Sequence, residues 1–279
     1  MNRLAMLASA GALAVVLAAS AGCGGSSEQQ DPQGYVTDVL AGAAPGEGMR
    51  PSVAVAAASD LRLALDEYRG TLESACSASI TVTYGSSGQF ARQIAAGAPI
   101  DLFLSADTRY TDEVAREGRV APGGMARYAR GRIAMLVRPG LPLPSDLAGV
   151  AAPEYKSVAI ANPDHAPYGR AAEEALRSAG IYDQVKSRLV LAENARQSVD
   201  YVDKGNADAG IVALPLLAGH DPTTFRLLDA SLHQPIDQAG AVIAGTGAER
   251  TARCILQQLL SPAAQEHLAK YGFEPPASN

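Results

Sequence analysis

Three short polar turns hold the residue types best suited to chemistry. Ser59 closes the apolar run SVAVAAAS, Ser86 and Ser87 lie between two glycines in YGSSGQFARQ, and NPDHAPYG at residues 162–169 follows SVAIA. Each turn stands where a strand pattern stops and helical spacing starts. Ser, Asn and Asp are favoured helix N-caps, so any one of these turns is explained by the helix it opens. Three that converge would be a different object. Helix N-termini offer unpaired N–H donors and the positive ends of dipoles, and a set of them binds an anion without any formal charge.

Enzyme motifs fail one by one. GSSG is not the G-x-S-x-G nucleophile elbow, because neither serine has a glycine two residues away on both sides. SDLR at Ser59 carries arginine where a serine–lysine hydrolase needs lysine. His165, His220, His233 and His267 are too scattered for a metal site, and no Walker A sequence is present. GTGAER at residues 245–250 lacks the third glycine of a dinucleotide fingerprint and has no following strand to complete a βαβ unit. The enzyme alternative left standing is a secreted serine hydrolase using Ser87 with Asp164 and His165.

The elements that must position these turns alternate. SVAVAAAS, SITVTY and IDLFLSA read as strands, each followed by a helical pattern (LRLALDEYRGTLES, QFARQIAAG, TDEVAREG), which predicts an α/β unit on a mainly parallel sheet. GRIAMLVRPG and SVAIANP are strands, YGRAAEEALRSAG and SVDYVDKG helices, and ADAGIVALPLL a further strand, so a second α/β unit follows. AGAVIAG and a helix pair broken at Pro262 close the chain.

The composition narrows the partners. With a net charge of −6 and no basic stripe, nucleic acid and anionic membrane surfaces are not expected to bind. The absence of Trp and a count of four Phe argue against a sugar site built on stacked aromatics. Residues 1–22 have the layout of an export signal: Arg3, an apolar run from Leu4 to Ala19, then small residues. AASAGC resembles a bacterial lipoprotein processing site, which makes Cys23 the expected lipid attachment point and gives the chain its contact with the membrane. Residues 23–50 read as a flexible tether. Cys76 and Cys254 remain, in an exported and oxidising compartment. Two readings stay open for them, a disulfide or two separately buried thiols.

VAVAAASDL, YGSSGQFARQIAAGAPIDLFLSAD, VAIANPDHAPYGRAAEEAL, ADAGIVA and KYGF resemble, in order, segments of the periplasmic molybdate-binding proteins of bacterial ABC importers. The likeness runs from about Ser52 to Phe273. It implies a two-lobe type II periplasmic binding protein fold of the α/β class, with a ligand cleft between the lobes. Lobe I is expected at residues 51–129 plus 238–279 and lobe II at 130–237. The family implies no enzymatic activity, no cofactor and no metal held as a cation. The ligand is molybdate or tungstate, with sulfate or another small oxyanion as the alternative, and the partner is the membrane permease of an ABC importer. A monomer, extracytoplasmic and lipid-anchored, is expected. Position by position, Ser59 and Ser87 match serines that donate hydroxyl and N–H to the anion, with Ser86 as a further candidate. Tyr168 and Ala195 match backbone donors. Ala213 stands where many members have a tyrosine whose hydroxyl reaches the oxyanion, and the Tyr168 phenol is a candidate replacement. A third reading, an adhesion module on a lipid anchor, implies no small-molecule ligand.

Overall fold

A computed structural model describes residues 50–276. Three parallel strands begin the described part, β1 (Ser52–Ala58), β2 (Ser79–Gly85) and β3 (Leu102–Ser105), followed in turn by α1 (Arg62–Cys76), α2 (Ser87–Ala95) and α3 (Thr108–Arg116). β4 (Val120–Gly131) then leads, through Arg132 alone, into β5 (Ile133–Val137) of a second sheet. That sheet adds β6 (Val158–Ala161), α4 (Pro167–Ser178), α5 (Tyr182–Val185), β7 (Leu189–Ala192), α6 (Ala195–Asp203), β8 (Ala209–Ala213) and β9 (Phe225–Leu227). β10 (Ile236–Ile243) returns to the first sheet, and α7 (Glu249–Leu259) and α8 (Pro262–Lys270) finish the fold.

Both sheets have five strands and both are mixed. The orders are β2-β1-β3-β10-β4 and β7-β6-β8-β5-β9, with β10 antiparallel to both neighbours and β5 antiparallel to β8 and β9. The expected parallel character therefore holds for β1–β3 and β6–β8, and the strands that cross between sheets break it. β4 has no counterpart in the sequence reading. Pro122, Gly123 and Gly124 sit inside it, Gly123 has φ +64°, and its register with β10 shifts twice, so its pattern is that of a bulged edge. At the other end, Pro262 opens α8 as its first residue, with the Ser261 hydroxyl capping the Ala264 amide.

Burial follows the pleat. On β3, Leu102 and Leu104 join the core under α1 and α7, while Phe103 joins Phe90, Ile94, Tyr110 and Val114 under α2 and α3. The second sheet has its own core around Ile133, Met135, Ile160, Leu176 and Val199. α1 packs on α7. There Cys76 and Cys254 form a disulfide with Cα atoms 5.8 Å apart. The export signal, Cys23 and most of the tether read from the sequence lie outside the described residues. Among the described residues no helix is long and apolar enough to cross a membrane.

Ion pairs tie together the segments through which the chain crosses between the sheets. Arg130 on β4 binds Asp237 on β10 at 2.8 Å, and Arg132 binds Glu274 at 2.6 Å and the Leu228 carbonyl at 2.9 Å.

Candidate anion site

The strand-end turns of the first sheet meet those of the second. Ser59, Asp60, Ser86, Ser87, Ala166, Tyr168 and Ala195 all line one small cavity of about 10 Å³, together with Ala58, Gly85, Ala106 and Pro167. All five anion-site candidates read from the sequence, Ser59, Ser86, Ser87, Tyr168 and Ala195, line it. Ala213 is not among the lining residues. It ends β8, fully buried and paired with Ile133.

Helix capping does not account for the serines. Ser86 occupies the N-cap of α2 yet its hydroxyl makes no capping bond, and the Ser59–Leu61 3-10 turn also starts without a side-chain cap. By contrast, Asp107 and Asn194 cap α3 and α6 in the ordinary way, accepting from Arg109 and Gln197 amides.

The hydroxyls are held from outside instead. Ser87 Oγ accepts from the Ala106 amide at 3.0 Å, and Ser59 Oγ accepts from the Arg196 amide at 3.2 Å. A hydroxyl fixed as an acceptor keeps its own proton to donate. Ser86 differs. Its proton goes to the His165 carbonyl at 2.5 Å, and its oxygen lies 2.9 Å from His165 Nδ1. With its one proton committed, Ser86 accepts from an Nδ1-protonated imidazole. Ser86 is thereby a latch between the halves, reinforced by the Gly88 amide, which donates to the same carbonyl at 3.0 Å. A Cβ on Gly88 would sit 2.9 Å from that oxygen, so the close approach needs glycine.

The same contacts dispose of the hydrolase arrangement. His165 bonds Ser86 and not Ser87, and the Ser86 proton points to a carbonyl and not to the imidazole. The arrangement of Ser87 with Asp164 and His165 is therefore not formed. Among the described residues no group of His, Cys, Asp or Glu is placed to hold a metal cation.

The backbone completes the lining. Ser87 and Ala195 are the first residues of α2 and α6, and Tyr168 is the second of α4 after Pro167. Amides in a first turn have no acceptor within their own helix. The Tyr168 phenol, in contrast, turns away to the crossing strands. It donates to Asp60 Oδ2 at 2.9 Å and lies against Gly131, where any Cβ would collide with it. Its single proton is engaged, so it does not replace the hydroxyl that Ala213 lacks.

Asp60 is the residue that sequence reasoning passed over. It is 1% exposed. Oδ2 accepts from Tyr168 and, at 2.6 Å, from Gln238 Nε2, while Tyr128 donates to Gln238 Oε1 at 2.8 Å. Oδ1 is buried with no partner. Burial pushes the carboxyl up to about 6, against the lowering effect of the Gln238 and Tyr168 hydrogen bonds and, more weakly, of the Asp60 and Leu61 amides. Burial, with the Asp60 charge beside it, likewise holds the Tyr168 and Tyr128 phenols well above their ordinary value. The only early signal was an acid next to Ser59 at the end of a buried strand.

Two mixed sheets joined by two crossing strands, with a cavity at the junction of their strand ends, are the architecture of the periplasmic binding proteins. A family model described as bacterial extracellular solute-binding protein matches residues 53–274, and the chain belongs to that family. It is a transport component and not an enzyme. The chain is 35% identical to the molybdate-binding protein ModA of Rhodobacter capsulatus over 195 residues, 70% of this chain and 77% of that protein. It is 27% identical to the putative ABC transporter substrate-binding lipoprotein YvgL of Bacillus subtilis over 259 residues, 91% of this chain and 92% of that one. The solved periplasmic molybdate-binding protein of Azotobacter vinelandii superposes with a TM-score of 0.76 at 27% identity, covering 81% of this chain and 100% of its own.

Proposed function

We propose that this chain captures molybdate, and with it tungstate, for the membrane permease of an ABC importer. Hydroxyls of Ser59 and Ser87 and amides of Ser87, Tyr168 and Ala195 would hold the anion. The observation that carries the reading is the convergence of these donors on one cavity with both hydroxyl protons left over. A dianion with four acceptor oxygens suits a neutral donor set. The two relatives named for molybdate support the choice of anion. In this reading residues 51–129 with 238–279 form one lobe and 130–237 the other. An anion touching both favours the closed arrangement by its differential affinity for it.

One observation favours a second ligand. The unpartnered Asp60 Oδ1 would accept a proton from a hydrogen-bearing oxyanion such as hydrogen phosphate. Calorimetric titration of the mature protein with molybdate, tungstate, sulfate and phosphate separates the cases. Saturable molybdate binding at one site per chain, tighter than sulfate and phosphate, is the expected result. Tighter phosphate binding would transfer the site to the second ligand, and no binding of any of the four would end the proposal.

The lipid anchor on Cys23 belongs to the same proposal, supported by AASAGC and by the lipoprotein name of the Bacillus subtilis relative. The protein would then act as a monomer held at the outer face of the cell membrane. Cys23→Ser should leave an unprocessed precursor without lipid, read by mass spectrometry of the membrane fraction. A lipid-free mature start elsewhere would remove the anchor alone.

A further inference from the structure

We propose that the anion is captured together with one proton, which is taken from solvent onto Asp60 Oδ1 and donated from there to an oxyanion oxygen. This rests on the oxyanion reading above. Asp60 lines the cavity itself, next to Ser59. One of its oxygens is filled by two donors and the other is buried without a partner. A carboxylate left bare beside a dianion sets like charges in contact in a poorly screened site, and neither can be satisfied by the other. One proton between them turns the repulsive contact into a hydrogen bond. The balance is simple: a solvent proton bonds to Oδ1, no other bond breaks, and the complex gains one positive charge relative to a proton-free one.

Apart from the backbone amides of Asp60 and Leu61, which also lower the carboxyl, the described surroundings offer no unpaired positive charge. Tyr168 faces Asp60 from α4, and Tyr128 reaches it through Gln238 from β4; both phenols stay protonated across the neutral range. The Leu214–Leu217 turn packed against Ser59–Leu61 is apolar. On α1, Arg62 is paired with Asp66, and on α6, Arg196 with Asp200, both pairs partly exposed. His165, held by Ser86, is the other titratable group beside the cavity. Asp60 starts from a value near 6, so it is a small step from protonation at neutral pH.

The test counts protons. Molybdate is titrated into the full-length protein between pH 6 and 9 in buffers of different ionisation enthalpy. Above pH 6 the affinity should fall tenfold per pH unit, with uptake approaching one proton per anion. Asp60→Asn supplies a permanent N–H donor in the same shape. It should take up no proton, lose the pH slope and bind molybdate at least tenfold more tightly than the unmutated protein at pH 8. Tyr168→Phe removes one donor to Oδ2 and should move the onset of the slope to higher pH, a readout that does not depend on Asp60→Asn folding. Binding with no proton uptake and a flat affinity overturns the inference while leaving the oxyanion reading intact. A slope that survives in Asp60→Asn assigns the proton to His165 and also overturns it. Failure to bind any oxyanion overturns both.

Discussion

The two halves of the molecule furnish the cavity with different chemistry. The first sheet contributes side chains: the hydroxyls of Ser59 and Ser87 and the carboxyl of Asp60. The second contributes main chain, at the starts of α4 and α6, and the one polar side chain it sends there, the Tyr168 phenol, is turned to Asp60. The halves also differ in how they are held. The first is closed by the Cys76–Cys254 bond, whereas the second relies on its apolar core and on ion pairs such as Arg138–Asp208. Donors on side chains can be deleted singly, but a backbone donor is removed only by changing the backbone. The contrast can therefore be broken from either side.

The largest effect should come from the disulfide. It closes a loop of 178 residues, so Cys76→Ser with Cys254→Ser should lower stability by about 3 to 5 kcal/mol on chain-entropy grounds. For a protein of this size that is a fall in Tm of roughly 10 °C, read by calorimetry. An unchanged Tm would mean that the packing of α1 on α7 alone holds this half together.

Next are the serines. Each of Ser59→Ala and Ser87→Ala should weaken molybdate binding by about 1.5 to 3 kcal/mol, the range for a hydrogen bond to a charged group, or roughly one to two decades in Kd. Each hydroxyl also accepts from a backbone amide, Ala106 for Ser87 and Arg196 for Ser59, so a fall in Tm should accompany the loss of affinity. A stability loss with affinity intact would return both residues to a structural role.

The main-chain half can be tested at Ala195. Proline is favoured at the first position of a helix, and Asn194 before it is already extended, with φ −155° and ψ 174°. Ala195→Pro thus removes one N–H with little backbone disturbance, and should also cost about 1.5 to 3 kcal/mol of binding. Unchanged affinity would remove the Ala195 amide from the anion's contacts and leave the Tyr168 amide as the second half's donor.

The smallest effects are in pH dependence, and they run in opposite directions. Asp60 is raised in the folded state, so its contribution to stability is full below about 3.8 and lost as pH rises through about 6. Asp208 is subject to desolvation, which would raise it, but Arg138, the amides of Lys156 and Ser157 and the Ser157 hydroxyl outweigh this and lower it. Its contribution is present above about 3.8 and lost as pH falls through the lowered value. Asp60→Asn should therefore raise Tm at pH 8 and not at pH 3.5. Asp208→Asn should lower Tm at pH 7, with the deficit shrinking in acid. Melting curves across that range check both signs.

How much of this was legible in the sequence follows from distance along the chain. β1, α1, β2 and α2 were readable because their apolar spacing is local and regular. β4 was not, since its prolyl and glycyl residues are tolerated only by bulges against β10, more than a hundred positions away. β7 and β9 are short edge strands whose exposed Leu191 and Leu227 break the alternation. The cavity-lining Ser59, Ser87, Tyr168 and Ala195 were found through resemblance, because spacing alone could not bring four turns together. Asp60 was missed for the same reason. Its environment is made by Tyr168 and Gln238, which lie 108 and 178 residues further on.

The most direct measurement is a crystal structure of the protein grown with molybdate, with the anomalous signal of molybdenum locating the ion. The expected result is one molybdenum in the cavity between Ser59, Ser87, Tyr168 and Ala195, its oxygens about 2.6 to 3.1 Å from both serine hydroxyls and from the Tyr168 and Ala195 amides. A molybdenum seated instead in the larger groove beside Asp107, Arg170 and Glu174, or touching donors of only one sheet, would contradict the two-sided site.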